Sequence, residues 1–254
     1  MKHLPNILTL CNLFCGCIAI SFILHAQPIL GELSDGEPYW LKGTTQAFYG
    51  SLFILLAAIF DLLDGMVARW LGVFSPIGKD LDSLADVVSF GVAPSMIMMK
   101  MLWAAWMQSP DAMDISLIAI SPAFLLACFG ALRLARFNTM PPNNSFFTGV
   151  PIPAVGLLVA SFPLIYFYNP LGLGIRLLNP WILYLVIGIL CWLMVSKIKL
   201  FTLKFAKGGM QKNLAPIIWI ILTGIAVPFL KTLAVPFSFL LYIILSFVFK
   251  PTEA

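Results

Sequence analysis

Apolar stretches of close to twenty residues recur along this chain from one end to the other. That repetition constrains the fold more than any other feature. About 20 apolar residues of helix cross the hydrocarbon core of a bilayer, and backbone facing lipid must satisfy its own hydrogen bonds, which helices do internally. Eight such spans are expected, at about 4–26, 46–70, 81–107, 115–137, 152–169, 179–197, 214–231 and 233–250. Composition agrees: 61% of the residues are hydrophobic and 10% charged, against about 25% charged in soluble domains. The expected fold is all-α, a polytopic transmembrane helical bundle forming one integral membrane domain over 1–254. Lys231 and Pro236 suggest a tight reversal between the last two spans, with a single bent element as the alternative.

An even number of spans puts both termini on one side, and lysine and arginine choose it. With both termini cytoplasmic, the inner set is Lys2, Arg69, Lys79, Arg133, Arg136, Lys197, Lys199, Lys204, Lys207, Lys212 and Lys250, eleven of the fifteen basic residues. Lys42, Arg176 and Lys231 fall outside, Lys100 lies toward the outer end of the third span, and the acids Glu32, Asp35, Glu37, Asp111 and Asp114 lie in outer loops. The inner loop 197–213, with five lysines among apolar residues, either lies on anionic headgroups or simply keeps the loop inside. A net charge of +4, unevenly placed, does not suit nucleic acid. Cys11, Cys15, Cys17, Cys128 and Cys191 sit inside apolar stretches, without zinc spacing or a disulfide framework, and read as small buried hydrophobes. No cleavable signal peptide is expected, because no small-residue cleavage site precedes a polar chain.

One region breaks the membrane rules. Residues 60–91, FDLLDGMVARWLGVFSPIGKDLDSLADVVSFG, concentrate ionisable groups, which inside spans are costly and mark function. Asp61 and Asp64, three apart, share a face near the inner end of the second span. A break including Pro76 and Gly78 should reverse the chain, after which Asp82 and Asp86, four apart, share a face of the third. Asp80 points away from that face and reads as a helix-end charge or cap. Four carboxylates cannot crowd a low-dielectric site as bare anions, and Arg69 and Lys79 supply too little charge to balance them. Hard oxygen ligands favour Mg2+, Mn2+ or Ca2+, and two such ions about 3.5–4 Å apart make a two-metal site suited to a phosphate ester. Gly65 and Ala68 leave room for a ligand, and Arg69 is available to a phosphate oxygen.

Asp61, Asp64, Gly65, Ala68, Arg69, Gly78, Asp82 and Asp86 resemble, in order and spacing and without departure, the signature D-x2-D-G-x2-A-R-x8-G-x3-D-x3-D of the CDP-alcohol phosphatidyltransferases. The resemblance implies a membrane helical fold, a homodimer, an active site open to the cytoplasm, and two divalent cations held by the four aspartates. It implies Asp86 as general base, and Asp64, Gly65, Ala68, Arg69 and Gly78 against the CDP moiety and its phosphates. Metals would neutralise the diphosphate, and the acceptor oxygen would attack the lipid-side phosphorus with CMP leaving. GKDLDSLADVVSFGVAPS (78–95), LRLARFN (132–138), FTGVPIPA (147–154) and the N-terminal PNILTLCNLFCG resemble the membrane-integral bacterial branch that uses L-serine as acceptor and CDP-diacylglycerol as donor. The last 90 residues match that branch only in hydropathy.

Several roles stay open. Arg133 and Arg136 suit the carboxylate of serine, a phosphate, or merely the positive-inside bias. Asn6, Thr9 and Asn12 recur every three residues on one face, for nucleotide contact or for capping and packing. Asn138 has no assigned role, and Gly149, Pro151 and Pro153 should shape the entry into the fifth span. Rival acceptors are glycerol 3-phosphate, inositol phosphate and choline. The rival of another class is a divalent-cation transporter, which should carry polar groups right across the membrane, whereas these acids gather at one face.

Overall fold

A computed structural model describes residues 3–25, 29–32, 38–41, 44–73, 75–108, 115–139, 147–201 and 214–249. Lys2, Asp35, Glu37, Lys42, Asp111, Asp114, Lys204, Lys207, Lys212 and Lys250, and with them most of the basic inner loop, lie outside the described residues. The structure is helical almost throughout. Helix α1 (Leu4–His25) leads to a short antiparallel pair, β1 (Ile29–Glu32) with β2 (Pro38–Leu41), and then to α2 (Thr44–Leu71). Next come α3 (Pro76–Asp86), a π-helical segment (Val87–Val92) and α4 (Ala93–Trp106), which run on as one stretch. Helix α5 (Leu117–Ile120) passes through a 3₁₀ turn into α6 (Leu125–Thr139). Strand β3 (Phe147–Thr148) pairs with β4 (Lys199–Leu200) and so ties the start of α7 (Ile152–Tyr168) to the end of α9 (Pro180–Val195), with α8 (Leu173–Leu177) between. The described chain closes with α10 (Leu214–Leu230) and α11 (Ala234–Val248).

Apolar helical segments fall at each of the eight expected places, but length separates them. Among the described residues five stretches are long and apolar enough to cross a membrane, or six if α7 and the segment bent 111° from it count as one span. Helix α9, at 16 residues, falls short. The chain is a multi-pass membrane protein on this composition. Its outer surface says the same: Phe229, Leu171 and Trp181 are largely exposed, and exposed apolar area on this scale belongs against lipid.

The 35-residue stretch Leu214–Val248 is not one straight span. The Trp219 indole donates to the Ser238 carbonyl at 3.0 Å, and the Thr223 hydroxyl lies 3.2 Å from that of Ser238. On a straight helix, residues 19 apart would stand about 28 Å from each other. The chain therefore reverses at Lys231–Leu233, where Lys231 takes φ 47°, and α10 and α11 form a hairpin. The reversal expected around Lys231 is thus what the structure has.

The third stretch, α3 through α4, is the most enclosed of the candidate spans. It begins earlier than its hydropathy suggests. Pro76 and Gly78 do not break the chain; they lie in the first turn of α3, and the break is the short segment around Gly72 and Val73. The Ser75 hydroxyl accepts from Gly78 N–H at 3.0 Å as the N-cap, and proline at a helix start lacks only an N–H that would have no helical partner. Small residues then let helices close on this stretch. A Cβ on Gly16 of α1 would stand 2.9 Å from the Ser89 Cα, and one on Gly156 of α7 would stand 2.9 Å from the Phe90 Cβ. Pro151 caps α7 after Gly149, which has φ +73°, as expected for that entry. Of the cysteines, Cys15 and Cys191 are buried, but Cys17 and Cys128 face outward, where a helix surface meets lipid rather than core.

Candidate active site

Helix geometry brings the acids together. Asp61 and Asp64 lie one turn apart on α2, and Asp82 sits two turns into α3 beyond the break. One carboxylate oxygen from each of Asp61, Asp64 and Asp82 lies within 4.8 Å of the other two. Asp86 follows one turn on, within electrostatic range of Asp61. Asp86 is also the last residue of α3 before the π-helical segment. π-helical turns inside α-helices gather at functional sites.

The four carboxyls differ in surroundings. Asp64 and Asp86 are buried; Asp61 and Asp82 are half-buried. Helix α1 addresses both buried ones. The Thr9 hydroxyl stands 2.6 Å from Asp64 Oδ2 and donates to it, with the Pro5 carbonyl 3.1 Å away as the alternative within the helix. One turn further on, Asn12 Nδ2 faces Asp86 Oδ1 at 3.4 Å. The Asn12 carbonyl in turn accepts from the Ser89 hydroxyl at 3.0 Å. Thr9, Asn12 and Ser89 are all buried, so α1 is pinned to both aspartate-bearing helices by polar contacts shielded from solvent. Asn12 Oδ1 has no hydrogen-bond partner among the described residues.

The donor set suits a hard divalent cation. Oxygens on opposite sides of one ion stand about 4.2 Å apart for Mg2+ and about 5 Å for Ca2+. The 4.8 Å spread of the Asp61, Asp64 and Asp82 oxygens lies in that range, and all three donors are carboxylates, the ligands such ions prefer.

Beside the carboxylates opens a cavity of about 220 Å³. Gly65 and Ala68 line it from α2, Gly78 and Lys79 from α3, and Asn6 and Thr9 from α1, with Asp64 and Asp82 at its floor. A Cβ on Gly65 would meet nothing within 4 Å, so this glycine keeps space open rather than permitting a close helix contact. Gly78 works the other way: a Cβ there would stand 3.0 Å from Asn6 Oδ1 and 2.9 Å from Ser75 Oγ, closing the wall. Most of the signature thus surrounds one cavity. Asp61, Arg69 and Asp86 are absent from the lining, and of these Arg69 is exposed.

The two arginines of α6 part company. Arg133 is buried, with its guanidinium 5.2 Å from the Phe137 ring centre and within electrostatic range of Asp86 and Tyr242. Arg136 is exposed one turn nearer the helix end. Exposed Asp80 fits its expected outward direction, although the cap of α3 is Ser75. Asn138 gains a place: its amide donates to Ser83 Oγ at 2.8 Å, and its backbone carbonyl accepts from Lys79 Nζ at 3.1 Å. The end of α6 is thereby tied to the start of α3. Neither Ser83 nor Ser89 stands out in the sequence, since a serine in an apolar helix gives no spacing signal of its own. Lys79 does carry a signal, one residue after Gly78 in the hairpin.

A model of the CDP-alcohol phosphatidyltransferase family matches residues 2–193. The chain belongs to that family. It is therefore an enzyme, a phosphatidyltransferase of phospholipid synthesis. The matched range takes in α1 to α8, all but the last two residues of α9, and the four aspartates with the cavity lining, and leaves α10 and α11 outside. The chain is similar to the CDP-diacylglycerol–serine O-phosphatidyltransferase of Bacillus subtilis, with 33% identity over 201 residues, 78% of this chain and 90% of that protein. It is similar to the archaetidylserine synthase of Methanothermobacter thermautotrophicus, 41% identical over 123 residues, 48% of each. The CDP-diacylglycerol–serine O-phosphatidyltransferase of Methanocaldococcus jannaschii is 39% identical over 147 residues, 58% of this chain and 60% of that one.

Proposed function

We propose that this protein transfers the phosphatidyl group of CDP-diacylglycerol to the hydroxyl of L-serine, forming phosphatidylserine and CMP. The observation that carries the chemistry is the convergence of the Asp61, Asp64 and Asp82 oxygens within 4.8 Å, with Asp86 one turn beyond. The names of the relatives support serine as acceptor.

Asp61, Asp64 and Asp82, with Asp86, hold two divalent cations, Mg2+ or Mn2+. Once bound, such cations supply charge neutralisation at the diphosphate. The cavity beside them takes the CDP moiety. Gly65, Ala68 and Gly78 let it approach the helices, Asn6 rims it, and Arg69 meets a phosphate oxygen from the membrane surface. Thr9 holds Asp64, and Asn12 holds Asp86 aimed at the acceptor. Asp86 takes the proton of the serine hydroxyl. The freed oxygen forms a bond to the lipid-side phosphorus, the bond from that phosphorus to the CMP oxygen breaks, and CMP leaves. Arg133 binds the serine carboxylate behind Asp86, with Arg136 nearer the surface guiding it in. The acyl chains stay in the bilayer, which suits a site on the ends of spans.

The remaining features of the reading are eight spans, both termini and the active site on the cytoplasmic side of the cell membrane, and a homodimer. The α10–α11 reversal supports counting these two helices as separate spans. The test is an acceptor panel: purified protein with CDP-diacylglycerol and, in turn, labelled serine, glycerol 3-phosphate, inositol phosphate and choline, each with and without chelator. Serine incorporation that chelator abolishes is expected. Robust use of another alcohol with none of serine rejects the acceptor, and chelator-resistant turnover rejects the metal. Divalent-cation flux in proteoliposomes lacking CDP-lipid would favour a transporter instead.

A further inference from the structure

We infer that Lys79 is a diphosphate-binding residue of the cavity, held in place by the end of α6. This rests on the cavity being the CDP site. The family signature assigns the phosphate to Arg69, yet Arg69 is exposed and does not line the cavity. Among the described residues that do line it, Lys79 is the one cation. It sits in the first turns of α3 beside Gly78, three residues before Asp82 and so on the same side of the helix as that carboxylate.

Hydrogen bonds from two helices position it. Lys79 Nζ donates to the backbone carbonyl of Asn138 at 3.1 Å, one residue from the end of α6. Carbonyls in a last helical turn lack intrahelical partners and carry the negative end of the helix dipole, so they attract an ammonium. That partner is neutral, and the bond leaves the lysine's charge uncancelled. An ammonium has three N–H donors; among the described residues one is used, which leaves two for phosphate oxygens. Asn138 is itself fixed, because its amide donates to Ser83 Oγ at 2.8 Å and Ser83 donates to the Lys79 carbonyl at 3.1 Å. The flexible side chain is thus already confined before a ligand arrives, which lowers the entropy lost on binding. A diphosphate held by Lys79 is also joined through it to α6, the helix that carries Arg133.

The experiment is calorimetric titration of CDP and, separately, cytidine into the detergent-solubilised protein with Mg2+ present. Lys79→Gln should weaken CDP binding about tenfold, the scale of one charge-assisted hydrogen bond, and change cytidine binding less than about twofold. Lys79→Arg should recover most of the CDP affinity. Unchanged CDP affinity in Lys79→Gln overturns the inference, as does equal weakening of CDP and cytidine, the mark of a merely structural role. If Lys79→Gln does not fold, Lys79→Met, uncharged and of similar length, takes its place under the same criteria. Failure of the wild-type protein to bind CDP at all would instead remove the proposed function, and this inference with it.

Discussion

Replacing Thr9 by valine removes one hydroxyl and little else. The side chains are nearly equal in size, both are β-branched, and their helix propensities are close. Thr9 is buried, so water does not replace the lost donor. Asp64 Oδ2 then loses a hydrogen bond of 2.6 Å. A hydrogen bond to a charged group contributes about 1.5–3 kcal/mol, which is roughly 10- to 160-fold in an equilibrium. Not all of that reaches the metal, since Asp64 can reorient in part. Groups that orient metal ligands typically lose about 10–100-fold in metal affinity when mutated, and the lower half of that range is expected for Thr9→Val. The assay is Mn2+ titration of the solubilised protein by electron paramagnetic resonance, which needs no turnover. A parallel titration of CDP should show binding weakened only as far as the metal is lost. Mn2+ affinity within about twofold of wild type would refute the idea that α1 holds Asp64 in its ligating position.

Two further substitutions address the acceptor side. Asp86→Asn should cut turnover by at least about 100-fold, the low end for a general base, while CDP titration shows most of the nucleotide affinity retained; ordinary turnover would remove Asp86 from that role. Arg133→Ala should raise the KM for serine by about tenfold or more, with the KM for CDP-diacylglycerol moving far less. A rise confined to the lipid substrate would reassign Arg133 to the phosphate.

The aspartate pairs were legible because their spacing is a local matter. Offsets of three and four put Asp61 with Asp64 and Asp82 with Asp86 on shared faces whatever the rest of the chain does. The same logic singled out Asn6, Thr9 and Asn12, but left nucleotide contact and packing equally open. The tertiary structure separates the three: Asn6 rims the cavity, while Thr9 and Asn12 reach the carboxylates. Pro76 starts a helix where its sequence suggests a break, for a related reason. Proline stops a helix when it falls inside one and starts a helix when it falls first, and only the Ser75 cap distinguishes the cases.

From the order of its residues alone, this chain determined that it is helical, that it lies in a membrane, and that its acids cluster on two adjoining helices. Hydropathy and helical periodicity act over a turn or a span, and both survive without knowledge of neighbours. Which side chains meet across helices was decided by packing. Gly16 and Gly156 let α1 and α7 close on the stretch that carries Asp86, and this closeness brings Asn12 to the carboxylate and buries both. Such contacts join residues 74 positions apart, and no local rule of sequence specifies them.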